Sequence, residues 1–182
     1  MVDLVKRERI AEDVRNARQA GAEIVCACVH WGNEYQMLPS AYQREMARFM
    51  KSQGVELIIG SHPHVVQPME LDYSMNNGVG NLLVYSLGNF ISNQNDVNSR
   101  GGAMVKVKMT RYNDIPVILD AEGSLFFCQK PKAKNENYKL IPENLADSVR
   151  VDSKMVFNLF MKNAKTLYSK NNKNIKITTI AQ

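Results

Sequence analysis

Cysteine, histidine and tryptophan are scarce: the 182 residues hold 3, 3 and 1 of them. The cysteines, Cys26, Cys28 and Cys128, form no CxxC pair, so the usual thiol signature of a redox or zinc site is missing. Cys26 and Cys28 lie too close along one strand to bridge each other, and buried free thiols are expected. No apolar run approaches the ~20 residues of a membrane-spanning helix. Met1 to Arg9 carries charges where a signal peptide would have its hydrophobic core, so the chain as written reads as soluble, with no membrane span. Aromatic residues make up 8% and form no interleaved platform for single-stranded nucleic acid. Lys and Arg number 23 against 18 Asp and Glu. The excess sits in Lys130, Lys132, Lys134 and Lys139 and in Lys162 to Lys176, and reads as a solvated basic face without a specific nucleic-acid partner. With 45% hydrophobic and 23% charged residues, the remaining class is one globular domain with a real core.

What is present is a helix-then-strand device used twice. Asp3 to Ala20 has Ile10, Val14 and Ala17 at helical spacing, and Gly21 suits the left-handed position that ends a helix. The run Ile24 to Val29 is continuously apolar, as in a parallel strand buried on both faces. Ser40 and Gln43 form a capping box, Tyr42, Met46, Phe49 and Met50 form an inward stripe, Gly54 ends that helix, and Leu57 to Gly60 reads as a second buried strand. Alternation of helix and strand predicts parallel pairing with crossover helices. From residue 80 the pattern changes. Leu82 to Leu87, Ala103 to Met109 and Ile115 to Phe127 read as antiparallel strands, with turn signals at Asn76-Asn77-Gly78 and Asn113-Asp114. Residues 129–148 read as an extended crossing segment, and Asp152 to Tyr168 as an amphipathic helix capped by Asp152 or Ser153, with Val156, Phe160 and Leu167 inward. Ile175 to Thr178 is a candidate edge strand.

All three histidines follow the two predicted parallel strands: His30 in Val29-His30-Trp31-Gly32, and His62 and His64 in Gly60-Ser61-His62-Pro63-His64. Ligands bind open parallel sheets at the carboxyl ends of the strands, so neighbouring strands would bring three imidazoles to one rim. Pro63 restricts the residue before it to extended backbone. With His64 extended as well, both rings would project to one side, an arrangement suited to zinc, manganese or iron. Gly32 and Gly60 would give room around such a centre. Two-metal hydrolases add carboxylates, one of them bridging the ions, and no DxH or Gly-Asp-x-x-Asp segment precedes His30.

In order and spacing, Val29 to Tyr35, Pro39, Gln43-Arg44, Gly54 to Pro68 and Tyr85 to Phe90 resemble the CapA family of poly-γ-glutamate capsule biosynthesis. The resemblance spans about Gly21 to Gly102. It implies an α/β fold that is part of a metallophosphatase-like two-sheet sandwich flanked by helices, with parallel βα units first and antiparallel strands after. Residues 1–128 would be the carboxyl-terminal portion of that domain, and 129–182 an extended segment and helix packed on it. It further implies that His30, His62 and His64 are metal ligands of a binuclear divalent centre whose other ligands are missing from this chain. Trp31, Glu34, Asn89 and Arg100 are secondary candidates for substrate binding. The implied function is a metal-dependent phosphoesterase or hydrolase acting on a phosphoester or anionic polymer. The alternative is a non-catalytic subunit that binds the polymer or other capsule-synthesis proteins. The implied context is the extracytoplasmic face of a bacterial envelope.

Overall fold

Two glycines in the left-handed region punctuate the first half of the chain. Helix α1 (Arg7–Gln19) ends before Gly21 (φ 91°) and leads to strand β1 (Cys26–His30), while α2 (Ala41–Ser52) ends before Gly54 (φ 90°) and leads to β2 (Leu57–Ser61). Residues with a Cβ rarely adopt that conformation. The capping box forms as read: the Ser40 hydroxyl accepts from Gln43 N while Gln43 Oε1 accepts from Ser40 N. The computed structural model describes residues 5–73 and 79–179, so Asp3 and the Asn76-Asn77-Gly78 turn signal lie outside the described residues.

A buried carboxylate joins the two units. Glu56 is 5% exposed, pairs with Arg18 of α1 and accepts from Val25 N at 2.7 Å, while Arg18 also donates to Ala22 O and Gly54 O. Acceptors and donors are thus matched where both helices turn into strands, as a buried charge requires.

The first sheet has the order β1-β2-β4-β3. β1, β2 and β4 (Asn81–Val84) are parallel, and β3 (Met69–Asp72) is antiparallel to β4. The second sheet is antiparallel, β5 (Gly101–Tyr112), β6 (Ile115–Gln129) and β7 (Lys139–Pro142), with β8 (Lys176–Ile177) parallel to β6. Asn113 and Asp114, at φ 49° and 61°, turn the β5–β6 hairpin through two left-handed residues, the mirror-image turn that matches strand twist.

Helices α1 and α2 cover one face of the first sheet through Val14, Met46, Ala47 and Met50 against Val29, Ile58 and Leu83. Its other face packs Met69, Leu71, Leu82 and Val84 on Ala103, Leu125 and Phe127 of the second sheet. Helix α3 (Lys154–Asn171) closes that core, with Phe157 and Phe160 ring-to-ring on Phe127. The result is the mixed α/β sandwich flanked by helices. Among the described residues no helix is long and apolar enough to cross a membrane.

Five readings of the sequence are corrected. Leu82 to Leu87, read with the antiparallel strands, supplies β4, which ends at Val84 and lies parallel to β2 in the first sheet. β1 is an edge strand, and Cys26 and Cys28 are exposed rather than buried. A continuous apolar run reports what a strand can bury, and here only the Val29 face has cover. Tyr42 is 47% exposed because the inward side of α2 is turned toward Gln43, leaving Tyr42 to donate to Val5 O. Helix α3 starts at Lys154, and Ser153 gives no side-chain cap because its hydroxyl donates to Asp152. The extended crossing segment contains β7, and β3 was not foreseen. Both are four-residue strands, too short for alternation to show.

Candidate functional site

β1 and β2 are in register, with His30 opposite Ser61, so the chain past β2 delivers His62 beside His30. The ring centroids of His30 and His62 are 4.5 Å apart, and those of His62 and His64 are 6.1 Å apart. Three imidazoles from two adjacent parallel strands therefore meet at one rim.

The backbone that achieves this differs from the extended form expected. His62 and His64 have φ of 99° and 61°. Proline keeps the preceding residue out of the helical region but does not set the sign of its φ. The chain is held in this shape by Tyr35 N, which donates to Pro63 O at 2.8 Å, and by the His64 side chain. Left-handed backbone at a residue with a Cβ costs ~1–3 kcal/mol and persists where its surroundings over-determine it, commonly at functional sites.

His64 is the most fully oriented of the three. Its Nδ1 lies 3.0 Å from Asn89 Oδ1, and Asn89 Nδ2 donates to Gln94 Oε1 and Ser99 O, both at 2.9 Å. Because the amide's donors are both used, its oxygen is the acceptor, and the neutral His64 ring carries its proton on Nδ1. In that neutral form Nε2 keeps the lone pair; this nitrogen lies 3.7 Å from Glu34 Oε1. Tyr35 stacks on the ring at 6.0 Å, and its hydroxyl accepts from Gln94 Nε2 at 3.0 Å. His30 Nδ1 is 3.5 Å from Ser61 Oγ. Asn89→Leu is expected to release the ring into both tautomers and to cost ~1–3 kcal/mol for the stranded partners. The ring-nitrogen NMR shifts of His64 check this, and unchanged shifts would contradict the assignment.

Of the secondary candidates, Glu34 and Asn89 join the rim. Trp31 does not line a cleft: it is 3% exposed and its indole donates to Tyr85 O at 2.9 Å. Burial raises the Tyr85 phenol to about 12. Arg100 stacks on Phe127, 5.2 Å from the ring centroid. Burial is the main reason its pKa is lowered. Gly60 and Gly32 make room for protein groups rather than for an ion. A Cβ on Gly60 would meet Tyr85 O and the Trp31 indole, and one on Gly32 would meet the Gln43 amide. Tyr35 and Gln94 are rim residues that the sequence did not single out, because their partners come from distant loops.

The donor set does not by itself fit a two-metal centre. Among the described residues no group of three or more His, Cys, Asp or Glu is arranged to hold a metal ion. Among the described residues Glu34 brings a carboxylate to the rim, its Oε1 3.7 Å from His64 Nε2.

The profile of the family described as "Bacterial capsule synthesis protein PGA_cap" matches residues 2–94, the first sheet together with the histidine rim. The chain belongs to this family. It is similar to "PGA biosynthesis protein CapA" of Bacillus subtilis (strain 168), with 39% identity over 90 residues, 50% of this chain and 22% of that protein. It is also similar to "Capsule biosynthesis protein CapA" of Bacillus anthracis, with 28% identity over 134 residues, 71% of this chain and 31% of that protein. The chain thus spans less than a third of either capsule-synthesis relative.

Proposed function

We propose that this chain acts on the capsule polymer as the imidazole wall of a hydrolase-type centre at the extracytoplasmic face of the envelope. In this reading a divalent ion (zinc, manganese or iron) is held jointly with carboxylates from polypeptide outside these 182 residues. The convergence of His30, His62 and His64, with left-handed backbone at two of them, carries the reading. Imidazole nitrogens suit such ions, but a bridged pair needs carboxylates as well. Chemistry on a phosphoester or anionic polymer therefore belongs to the joined polypeptides. The test is elemental analysis of the protein purified from its own host, with capsule measured in parallel. His62→Ala is expected to lose the ion and, at unchanged protein level, at least about 90% of the surface polymer, a tenfold effect. Full capsule together with an unchanged metal content would overturn the reading.

A second reading, polymer binding without chemistry, is favoured by Arg100 and Lys130. Burial lowers the pKa of both, and each guanidinium or ammonium also repels a neighbouring cation. Lys130 donates to Asn93 O and Asn95 Oδ1, and Arg100 to Cys128 O. These partners are uncharged, so the two cations retain charge for an anionic chain. Loss of polymer binding in Arg100→Ala, with binding intact in His62→Ala, would select this reading.

A further inference from the structure

We propose that Arg100 and Lys130 form a binding site for one carboxylate or phosphate group, and that filling it steadies the loop that orients His64. The proposal rests on the polymer-binding reading above, which supplies the anion, and adds its seat and its effect on the rim.

Both residues lie past residue 94, where the family match ends. Arg100 precedes β5 and Lys130 follows β6, and Cys128 N donates to Arg100 O at 2.8 Å, so the two strand ends bring them together. A third cation, Arg150, donates to Lys130 O at 2.8 Å and is countered by Glu136 and Asp152, each at 3.4 Å. Arg100 and Lys130 have no such counter-charge. Among the described residues their hydrogen-bond partners are uncharged: Cys128 O for the guanidinium, Asn93 O and Asn95 Oδ1 for the ammonium. The Arg100 bond is 3.5 Å long, beyond the ordinary range, and its Nε is buried with no partner. Its guanidinium carbon lies over the Phe127 ring, 5.2 Å from the centroid, which supplies attraction but no acceptor.

Burial disfavours the charge on both groups, Arg150 repels Arg100, and Arg100 repels Lys130. Partly buried cations without a counter-charge are costly. A compact oxyanion between Arg100 and Lys130 offsets the repulsion and gives the guanidinium the acceptor it lacks. The planar fork of arginine suits carboxylate and phosphate alike. An ammonium has three donors, and the loop takes two of those on Lys130, leaving one for the anion.

Lys130 also sets the shape of the loop between β4 and β5. Its two acceptors, on Asn93 and Asn95, flank Gln94. Gln94 accepts from Asn89 Nδ2 at 2.9 Å and donates to the Tyr35 hydroxyl at 3.0 Å. Asn89 and Tyr35 are in turn the residues that bond to and stack on the His64 ring. One ammonium from the second sheet therefore holds the piece of chain on which both of those contacts depend. Repulsion from Arg100 works against that hold. An anion shared with Arg100 cancels the repulsion, and the clamp tightens. Lys130 is thus a positioning residue that acts on the rim through Gln94.

The test titrates the purified chain with inorganic phosphate and, separately, with a glutamate oligomer, at an ionic strength held constant with chloride. Hydrogen exchange of the amides in 89–99 and the ring-nitrogen NMR shifts of His64 are followed together. Exchange of the loop is expected to slow about tenfold, within the ~5–150-fold span of ordinary coupling, as His64 settles into its Nδ1–H form. A response to phosphate alone, to the oligomer alone or to both identifies the source of the anionic group. Lys130→Gln should lose the binding and the slowing, and Lys130→Arg, which keeps the charge and the donors, should retain them. Arg100→Met keeps an apolar stem on Phe127 and removes the repulsion, so its loop should exchange slowly with or without anion. Anion binding, measured by calorimetry, that leaves the loop and His64 unchanged would overturn the proposal while sparing the polymer-binding reading. Binding of neither anion would overturn both. Slowing that survives undiminished in folded Lys130→Gln or Arg100→Met would overturn the proposed seat.

Discussion

Gly60→Ala is expected to lower the melting temperature of this chain by about 6–12 °C, from a loss of ~3 kcal/mol at the 2–4 °C per kcal/mol of a domain this size. The reason is space and not backbone freedom, since Gly60 is absent from the positive-φ residues. A Cβ there would stand 2.1 Å from Tyr85 O and 2.5 Å from Trp31 Nε1. The first obstacle is backbone, and the second is a buried ring already hydrogen-bonded to that same carbonyl. Neither can swing aside, so β2 must part from the chain leaving β4, where Leu87 N donates to Gly60 O. Ser61 and His62 follow Gly60 directly, so the His30–His62 contact should widen as stability falls. Circular dichroism melts together with the fluorescence of the single tryptophan check both effects. A melt within about 2 °C of the parent, less than 1 kcal/mol, would show that this packing is softer than the geometry states.

The parts legible in the sequence were those in which one residue type has one physical use. Gly21 and Gly54 ended helices, Ser40 with Gln43 began one, and Asn113-Asp114 turned a hairpin, because each rests on local sterics or a local hydrogen bond. The histidine rim was legible for a different reason: parallel strands align their carboxyl ends, so position after a strand translates into position in space. What escaped depended on non-local facts. The exposure of Cys26 and Cys28 depends on which strand lies beside β1, about which its own residues are silent. The bond of Asn89 to His64 spans 25 residues, and the role of Gln94 requires knowing that loop 89–100 folds back over Tyr35. The purpose of Gly60 was misread for the same reason: a glycine beside a candidate metal site and a glycine under an indole look alike in a string.

Gln67→Leu is expected to detach the loop between β1 and α2 at a cost of ~1–3 kcal/mol, because a leucine fills the volume but leaves the buried Gln43 amide and the part-buried Gln36 and Leu38 carbonyls without their partner. Gln67 is fully buried, and its Nε2 donates to Gln36 O at 2.8 Å and Leu38 O at 3.3 Å. Its Oε1 accepts from Gln43 Nε2 at 2.7 Å, and Gln43 in turn caps α2 through Ser40. Two amides thereby tie together three pieces of chain: the loop after His30, the start of α2 and the segment after His64. That loop is exposed from Asn33 to Gln36, so its freed carbonyls can reach water if it lifts. The expected outcome is accordingly local opening ahead of global unfolding. Tyr35, carried on the loop, would leave His64, and Tyr35 N would release Pro63 O, removing one of the restraints on the left-handed histidines. Limited proteolysis should cut between residues 33 and 38 in the variant and not in the parent, and the His64 ring protons should lose their upfield aromatic shift. A resistant loop with unchanged His64 signals would mean that the rim holds its shape without the amide pair. The geometry of the three imidazoles would then have to come from the strands alone.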